Sequence, residues 1–351
     1  MPNDLLRRMQ RLLLVLLASL MGATGAVHAQ AVAPSADPDA LSRASASVVG
    51  VRVTATEGAR SIATLGQERA GSGVVIGPDG LVLTIGYLIL EAQDIRIITQ
   101  DHKTLPAVSV AYDLATGFGL IKPILPWRDA PVVPLGSESS LKAGEALMAA
   151  VGSTTEGGDA NVSLTQLVSK RAFSGTWEYH VDQALFTSPP VMAGRGNHSG
   201  AGLFNQRGEL VGIGSLLVMD AAGGNRRLPG NMFVPVDLLK PILGELRQTG
   251  SSHLSRRPWL GLNSAAQDGR IQILRVNEDS PAEEAGLKRG DVVLAVDGDQ
   301  VASLEAFYKK VWARETPETP VRLTVLQGAE LKTVTVRPRN RLLSLRKPAG
   351  I

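Results

Sequence analysis

The stretch DSPAEEAGLKRGDVVLAVDG, residues 279–298, contains the start of a helix, its end, a tight turn and an apolar strand. Pro281 suits the first turn of a helix, and Gly286 suits the position just after its last turn. The pair Gly290 and Asp291 then turns the chain into the run VVLAV, which predicts a strand. These signals predict a small folded domain around this stretch.

A second helix is predicted downstream, in SLEAFYKKVWAR at residues 303–314. Its apolar residues recur at helical spacing, which places five of them on one face: Leu304, Phe307, Tyr308, Val311 and Trp312. The loop WLGL, residues 259–262, opens the same unit. In the order and spacing of these three motifs, residues 258–338 resemble a PDZ domain.

This resemblance implies a groove between a strand and the later helix, where an extended peptide adds as a further strand. Backbone amides of the opening loop would hold the peptide's terminal carboxylate. The residues implied in peptide binding are Trp259, Leu260, Gly261, Leu262, Leu304, Phe307 and Val311. The chain's own last residue, Ile351, is apolar and is a less favoured occupant of the same groove.

The N-terminus has the pattern of a secretory signal peptide. The basic stretch RRMQR precedes the apolar run Leu12–Met21, and small residues precede a predicted cleavage after Ala29. The apolar run is short for a spanning helix, which needs roughly 20 residues. We therefore expect an exported, periplasmic protein with no stable membrane insertion. A membrane-bound regulator would require that this segment stays uncleaved.

Residues 30–46 are rich in alanine and proline and are expected to be flexible. From residue 47 to 248 the pattern changes to many short apolar runs with Gly/Pro turns, which predicts an all-β barrel or sandwich. PVDLLKPILGELRQ, at 235–248, is expected to close this region as a helix, with Asp237 near its start. A polar linker at 249–257 leads to the second domain, and a basic tail follows at 339–351.

The β-rich region resembles the HtrA (Deg) family of trypsin-like periplasmic serine proteases. The likeness is carried by GSGVVIGPDGLVLTIGYLILEA (71–92), VAYDLATGFGLIKP (110–123) and NHSGAGLFNQRGELVGIGS (197–215). It implies a mainly β fold of two six-stranded antiparallel barrels with a catalytic cleft between them. A PDZ domain after such a pair of barrels agrees with the same family.

The family's catalytic pattern is incomplete in this chain. The resemblance places Ser199 at the nucleophile, Tyr87 at the general base and Gly117 at the orienting aspartate. Asn197 and Ser199 stand at the oxyanion-hole positions, and the loop before them is about three residues longer than the family pattern implies. A serine hydroxyl is a weak nucleophile without an adjacent base, and a phenol with a pKa near 10 is a poor one. We therefore expect impaired catalysis.

Other groups offer little chemistry. His198 adjoins the serine but is expected to point elsewhere, His102 lies in a predicted turn, and Asp182 is placed to pair with His180. The histidines are scattered and cysteine is absent, so neither a metal site nor any other cofactor is expected. The formal charge is +3, much of it in the signal segment, and no basic stripe with aromatic residues suggests nucleic acid.

Two functions follow from these residues. The favoured one is an adaptor or quality-control protein that binds peptide C-termini or unfolded protein segments. The alternative is an active serine endopeptidase that uses Ser199 with a rebuilt base. Family trimers use aromatic residues near the mature N-terminus, and residues 30–86 contain none, so a trimer of that type is not expected, although another oligomer stays open.

Overall fold

The computed structural model describes residues 37–155, 158, 160–191, 198–224 and 226–346. The expected signal peptide, Asn197 and Ile351 lie outside these residues. Part of the segment expected to be flexible is a helix, α1 (Pro38–Ala46). The Asp37 carboxylate caps it by accepting from the Asp39 amide, and Ala40 and Ala44 are buried, so a capped start and a small apolar face order this segment.

The first barrel is closed in the strand order β1-β2-β3-β6-β5-β4, with every neighbouring pair antiparallel. Its strands are β1 (Val48–Ala55), β2 (Glu68–Val75), β3 (Val82–Ile85), β4 (Ala92–Ile98), β5 (Thr104–Tyr112) and β6 (Phe118–Pro123). Two short helices, α2 (Ile62–Leu65) and α3 (Gly86–Ile89), lie between strands, and α3 follows β3 directly.

The second barrel is closed in the order β10-β11-β12-β9-β8-β7. Its strands are β7 (Ala146–Val151), β8 (Asn161–Gly175), β9 (Tyr179–Ser188), β10 (Gly202–Phe204), β11 (Leu210–Val218) and β12 (Gly230–Pro235), and a 3-10 turn at Glu138–Ser140 precedes them. The expected fold of two six-stranded barrels is confirmed.

Glycines bring the two barrels into backbone contact. A Cβ at Gly50 would lie 1.8 Å from the Ser153 carbonyl oxygen, and one at Gly152 would lie 2.2 Å from the Val49 carbonyl oxygen. Neither position therefore tolerates a side chain without movement. One buried apolar cluster contains residues of both barrels, including Phe118 and Phe186. The cleft between the barrels is thus set by a close, apolar junction.

The second domain is a β-sheet with two helices. Its strands are β13 (Pro258–Trp259), β14 (Leu262–Gln267), β15 (Arg270–Val276), β16 (Val292–Val296), β17 (Asp299–Gln300), β18 (Val321–Gln327), β19 (Glu330–Val336) and β20 (Arg339–Asn340). The main sheet has the order β14-β15-β16-β18-β19, so β14 lies at its edge. The helices α5 (Pro281–Glu284) and α6 (Leu304–Trp312) are capped by the hydroxyls of Ser280 and Ser303.

The helix expected at 235–248 is divided in two. A 3-10 turn covers Val236–Leu238, and helix α4 covers Leu243–Thr249. Pro241 lies between them, and because proline has no amide hydrogen it interrupts helical hydrogen bonding. Asp237 does not cap a long helix but accepts hydrogen bonds from the Ser137 hydroxyl and the Glu138 amide.

The segment between the domains is held against the first barrel, with a 3-10 turn at His253–Ser255. The buried Asp113 carboxylate accepts hydrogen bonds from the hydroxyls of Ser252, Ser255 and Thr116. The start of the basic tail is also folded, because β20 pairs with β13 and a 3-10 turn follows at Arg341–Ser344. None of the helices in the described part of the chain is long and apolar enough to cross a bilayer.

Candidate active site and peptide groove

Ser199 lies in a tight turn that is attached to the first barrel. Its carbonyl oxygen accepts a hydrogen bond of 2.8 Å from the Ser72 amide on β2. The next residue, Gly200, has a φ of 77°. A Cβ there would lie 1.9 Å from the Ser72 carbonyl oxygen, so only glycine fits. The partly buried Ser199 side chain is therefore displayed at the junction of the two barrels.

The phenol of Tyr87 lies beside the Ser199 hydroxyl. Helix α3 positions this ring, and its hydroxyl oxygen is 2.7 Å from Ser199 Oγ and 2.7 Å from the Ser215 carbonyl oxygen. Either the phenol donates to Ser199 Oγ, or it donates to the Ser215 carbonyl and accepts from the Ser199 hydroxyl. In both arrangements the phenol stays protonated and holds the serine in place.

Burial makes this phenol still harder to ionise. It raises the pKa of Tyr87 to about 12, although the hydrogen bond with Ser199 acts in the opposite direction. At neutral pH only about one phenol in 100,000 would be ionised with such a pKa. Tyr87 therefore does not supply the proton acceptor that a serine nucleophile needs.

Gly117, expected at the position of the orienting aspartate, has no side chain, and Tyr179 takes the adjacent space. Gly117 has a φ of 80°, and its carbonyl oxygen accepts a 2.7 Å hydrogen bond from the Gly86 amide. A Cβ at Gly117 would lie 3.2 Å from the Tyr179 hydroxyl oxygen, which donates to the Thr116 carbonyl at 2.7 Å. The Tyr179 ring thus stands beside the position that the family gives to aspartate.

Of the two residues predicted for the oxyanion hole, the structure describes Ser199 but not Asn197. His198 is buried, next to the serine. His102 is exposed in a turn with a φ of 62°, in agreement with its predicted place. Asn197 and Ser199 therefore stay predictions as oxyanion donors.

His180 lies at the contact between the two domains and has its own partners. Its Nδ1 is 2.8 Å from Ser174 Oγ, and its Nε2 is 3.2 Å from Asp182 Oδ1, which is the expected pairing. Glu305 completes a group with metal-ligand geometry. However, the Lys309 ammonium donates to both Asp182 and Glu305, at 2.6 and 2.8 Å, so these carboxylates already share one cation.

The opening loop of the PDZ domain is built as a carboxylate receptor. Gly261 has a φ of 87°, and a Cβ there would lie 2.2 Å from the Ser280 Cβ, so the loop requires glycine. The amides of Leu260 and Leu262 both donate to the Glu178 carboxylate, at 3.0–3.2 Å. A glutamate of the second barrel therefore occupies the amides that were expected to hold a peptide terminus.

The groove contacts differ from those predicted on helix α6. Leu304, Phe307 and Val311 are buried in the apolar core of the PDZ domain. Tyr308, predicted only as part of the apolar face, donates to the Gly175 carbonyl at 2.8 Å. Sequence reasoning missed Glu178, because nothing in its neighbourhood signals a contact between domains.

Trp259 is buried on β13, and the guanidinium carbon of Arg341 lies over its indole ring, 5.9 Å from the ring centre. Its side chain thus packs within the fold, and the loop contributes to the groove through its backbone. This agrees with the way PDZ loops hold carboxylates, which depends on amides rather than on side chains.

Comparison with known proteins agrees with this architecture. Residues 71–213 match the trypsin-like peptidase domain family, and residues 258–337 match the PDZ domain family. A DegP-like periplasmic serine endoprotease of Halomonas elongata is 33% identical over 279 residues, which cover 76% of this chain and 55% of the relative. The serine protease HhoA of Synechocystis sp. is 28% identical over 291 residues, with 76% and 70% covered. The chain spans about half the length of the first four curated relatives it matches.

Solved structures show the same fold. The HtrA-type protease AlgW with a tripeptide aligns with a TM-score of 0.52 at 20% identity, over 88% of this chain and 97% of that one. The serine endoprotease from Yersinia pestis aligns with a TM-score of 0.51 at 23% identity, over 85% and 96%. By its fold, its domain order and its relatives, this chain belongs to the HtrA family, as a trypsin-like domain followed by a PDZ domain.

Proposed function

We propose that this protein is a non-cleaving HtrA homologue of the periplasm that binds peptide C-termini or unfolded protein segments. The observation that carries the proposal is the 2.7 Å contact between the Tyr87 phenol and Ser199 Oγ, at the position where the family has its base. In serine proteases, loss of the catalytic histidine alone lowers kcat by about a million-fold. Peptide binding is supported by the PDZ domain and its amide loop.

The place of action is supported by two features. Curated relatives are named as periplasmic endoproteases, and the N-terminal sequence has the pattern of a secretory signal. Cleavage near Ala29 belongs to the same proposal. N-terminal sequencing of the protein recovered from a periplasmic extract is its direct test.

The catalytic part is tested with a fluorophosphonate probe and unfolded casein. We expect the wild-type chain to label no more than the Ser199→Ala variant between about pH 6 and pH 10, because a phenol with a pKa of about 12 stays protonated over that range. An active serine endoprotease treated in parallel shows that the probe works. Labelling and casein cleavage that both disappear in Ser199→Ala would overturn the proposal.

The alternative is an active endopeptidase with a rebuilt base. It is favoured by one observation, the strict glycine turn that still displays Ser199 against β2. If Tyr87 served as base, labelling would increase tenfold for each unit by which the pH is raised toward the pKa of Tyr87. It would vanish in Tyr87→Phe. The two functions therefore differ in pH profile as well as in rate.

A further inference from the structure

The turn between β8 and β9 enters the PDZ groove. We call residues 175–178, Gly-Thr-Trp-Glu, the hairpin tip. The Thr176 carbonyl oxygen accepts a 2.8 Å hydrogen bond from the Ser264 amide on β14. Because β14 is the edge strand of the PDZ sheet, this bond continues the sheet onto the tip, in the manner of a bound peptide.

The tip also carries a carboxylate to the place where a peptide terminus would bind. The buried Glu178 side chain accepts from the amides of Leu260 and Leu262. Leu262 begins β14 and Ser264 lies two residues further on. The Glu178 carboxylate thus binds at the start of β14 and the Thr176 carbonyl binds two residues further along it. The terminal carboxylate and an upstream carbonyl of a bound peptide would take the same order.

Helix α6 closes the other side of the tip. The Tyr308 hydroxyl donates to the Gly175 carbonyl oxygen and accepts from the Glu178 amide, at 2.8 and 3.4 Å. One hydroxyl therefore bridges the first and last residues of the turn. The tip is held between β14 and α6, which are the two walls expected of a PDZ groove.

The residue at the end of the tip is unusual for its conformation. Glu178 has a φ of 58°, a left-handed backbone that a three-residue hairpin loop normally gives to glycine. The chain keeps a glutamate there although glycine would fit more easily. The buried carboxylate and its amide partners account for that choice.

Resting on the proposed peptide-binding function, we propose that the hairpin tip is an internal ligand of the PDZ groove. The groove accordingly recognises a β-hairpin that ends in an acidic residue, in addition to free C-termini. An external peptide must displace the tip before it binds. Asp182 and Lys309 add an exposed ion pair between the hairpin and α6, a contact of small weight.

The test uses the full chain with Glu178→Gly, which removes the carboxylate and suits the left-handed φ. Glu318→Gly is the control for the chemical change, since Glu318 is exposed in the PDZ domain. Hydrogen exchange at the Ser264 amide is the first readout, because this amide bonds to Thr176 and not to Glu178. We expect it to exchange about ten- to a hundredfold faster in Glu178→Gly than in wild type, because the hydrogen bonds that the Leu260 and Leu262 amides donate to Glu178 are lost.

The second readout is binding of a labelled cyclic peptide that copies residues 172–181. Followed by fluorescence anisotropy, it should bind the Glu178→Gly chain about tenfold or more tightly than wild type, whose groove is occupied. The same peptide with alanine in place of its glutamate should lose that affinity. Tyr308→Phe, which removes one hydroxyl, should shift both readouts in the same direction by less.

Unchanged Ser264 exchange in both variants, or equal binding of the peptide to wild type and Glu178→Gly, would overturn the inference. Equal affinity of the alanine peptide would also overturn it. These readouts do not involve Ser199, so a positive result with the fluorophosphonate probe would remove the proposed lack of cleavage and leave this inference standing. A negative result in the exchange and peptide-binding experiments would overturn this inference and would leave the conclusion from the fluorophosphonate probe unchanged.

Discussion

At the scale of single residues, the cleft is shaped by two tyrosines. The Tyr87 phenol contacts Ser199 Oγ, and the Tyr179 hydroxyl lies where a side chain on Gly117 would extend. The first stands at the position predicted for the base, and the second fills space beside the position predicted for the aspartate. Restoring histidine and aspartate at 87 and 117 therefore also requires Tyr179 to move.

Gly117→Ala tests this packing against a matched glycine. Gly144 has a φ of 86°, and a Cβ added there would have no neighbouring atom within 4 Å, so Gly144→Ala reports the backbone penalty alone. We expect that penalty to be about 1–2 kcal/mol at both positions. The contact with Tyr179 should add about 1–3 kcal/mol at Gly117.

Denaturant unfolding of both alanine variants measures the difference. Equal losses of stability would mean that the Tyr179 ring yields freely and does not obstruct position 117. The short distance to the Tyr179 hydroxyl would then have no effect on the free energy of unfolding.

The candidate site positions could be predicted from the sequence, whereas the surroundings of each residue could not. Ser199, Tyr87 and Gly117 follow from motifs that are local in the chain. The obstruction by Tyr179 comes from another barrel and a separate strand, and only packing brings it to Gly117. A motif comparison cannot show this, because it records which residue is missing and not what has filled its space.

At the scale of elements, the segment between the domains is anchored by one buried carboxylate. Burial alone would raise the pKa of Asp113, but hydrogen bonds from Ser252, Ser255 and Thr116 outweigh burial and hold it below the usual range. Its stabilising contribution is therefore complete above the ordinary aspartate pKa and is lost as the pH falls through the lowered value.

Asp113→Asn should weaken this anchor. An asparagine places an NH2 group where one Asp113 oxygen accepts from both the amide and the hydroxyl of Thr116. We expect a loss of about 2–3 kcal/mol, the cost of unsatisfied buried partners of a charged group. Urea unfolding at neutral pH measures this loss of stability. Limited proteolysis should also cut the variant faster than wild type between residues 249 and 258, which would locate the weakened segment.

Asp268→Asn makes the same chemical change at an exposed position and should leave both measurements unchanged. A similar loss in the two variants would show that the effect is one of net charge. The anchoring role of Asp113 would then be wrong.

At the scale of the whole molecule, the two domains meet through the hairpin tip. Burial raises the pKa of Glu178 to about 7, while the amides of Leu262 and Leu260 and the charge of Arg341 act in the opposite direction. Tyr308, whose own pKa burial raises, faces it from α6. A free tip would have an ordinary glutamate pKa of about 4.3.

The binding of the hairpin tip in the PDZ groove, which we call the closed form, should accordingly depend on pH. A group whose pKa is raised in the closed form stabilises that form fully below its ordinary pKa and loses this contribution as the pH rises through the raised value. Ser264 amide protection, corrected for intrinsic exchange, should be stronger at about pH 5.5 than at about pH 8. Hydrogen exchange with mass spectrometry measures it.

Glu178→Gln is the control, because glutamine does not titrate. The pH dependence should vanish in this variant. If it persists, it comes from another group, and the assignment to Glu178 is wrong.

The sequence by itself determined the β-rich class of the first domain, through apolar periodicity and turn residues that are local in the chain. The pair of barrels, the PDZ domain and the predicted site positions Ser199, Tyr87 and Gly117 came from short motifs that resemble those of known families. The tertiary structure alone decided that Glu178 enters the amide loop, that Tyr179 covers Gly117 and that Asp113 holds the segment between domains. These contacts join residues far apart in sequence, and their energies come from burial and satisfied hydrogen bonds that exist only once the domains have packed together.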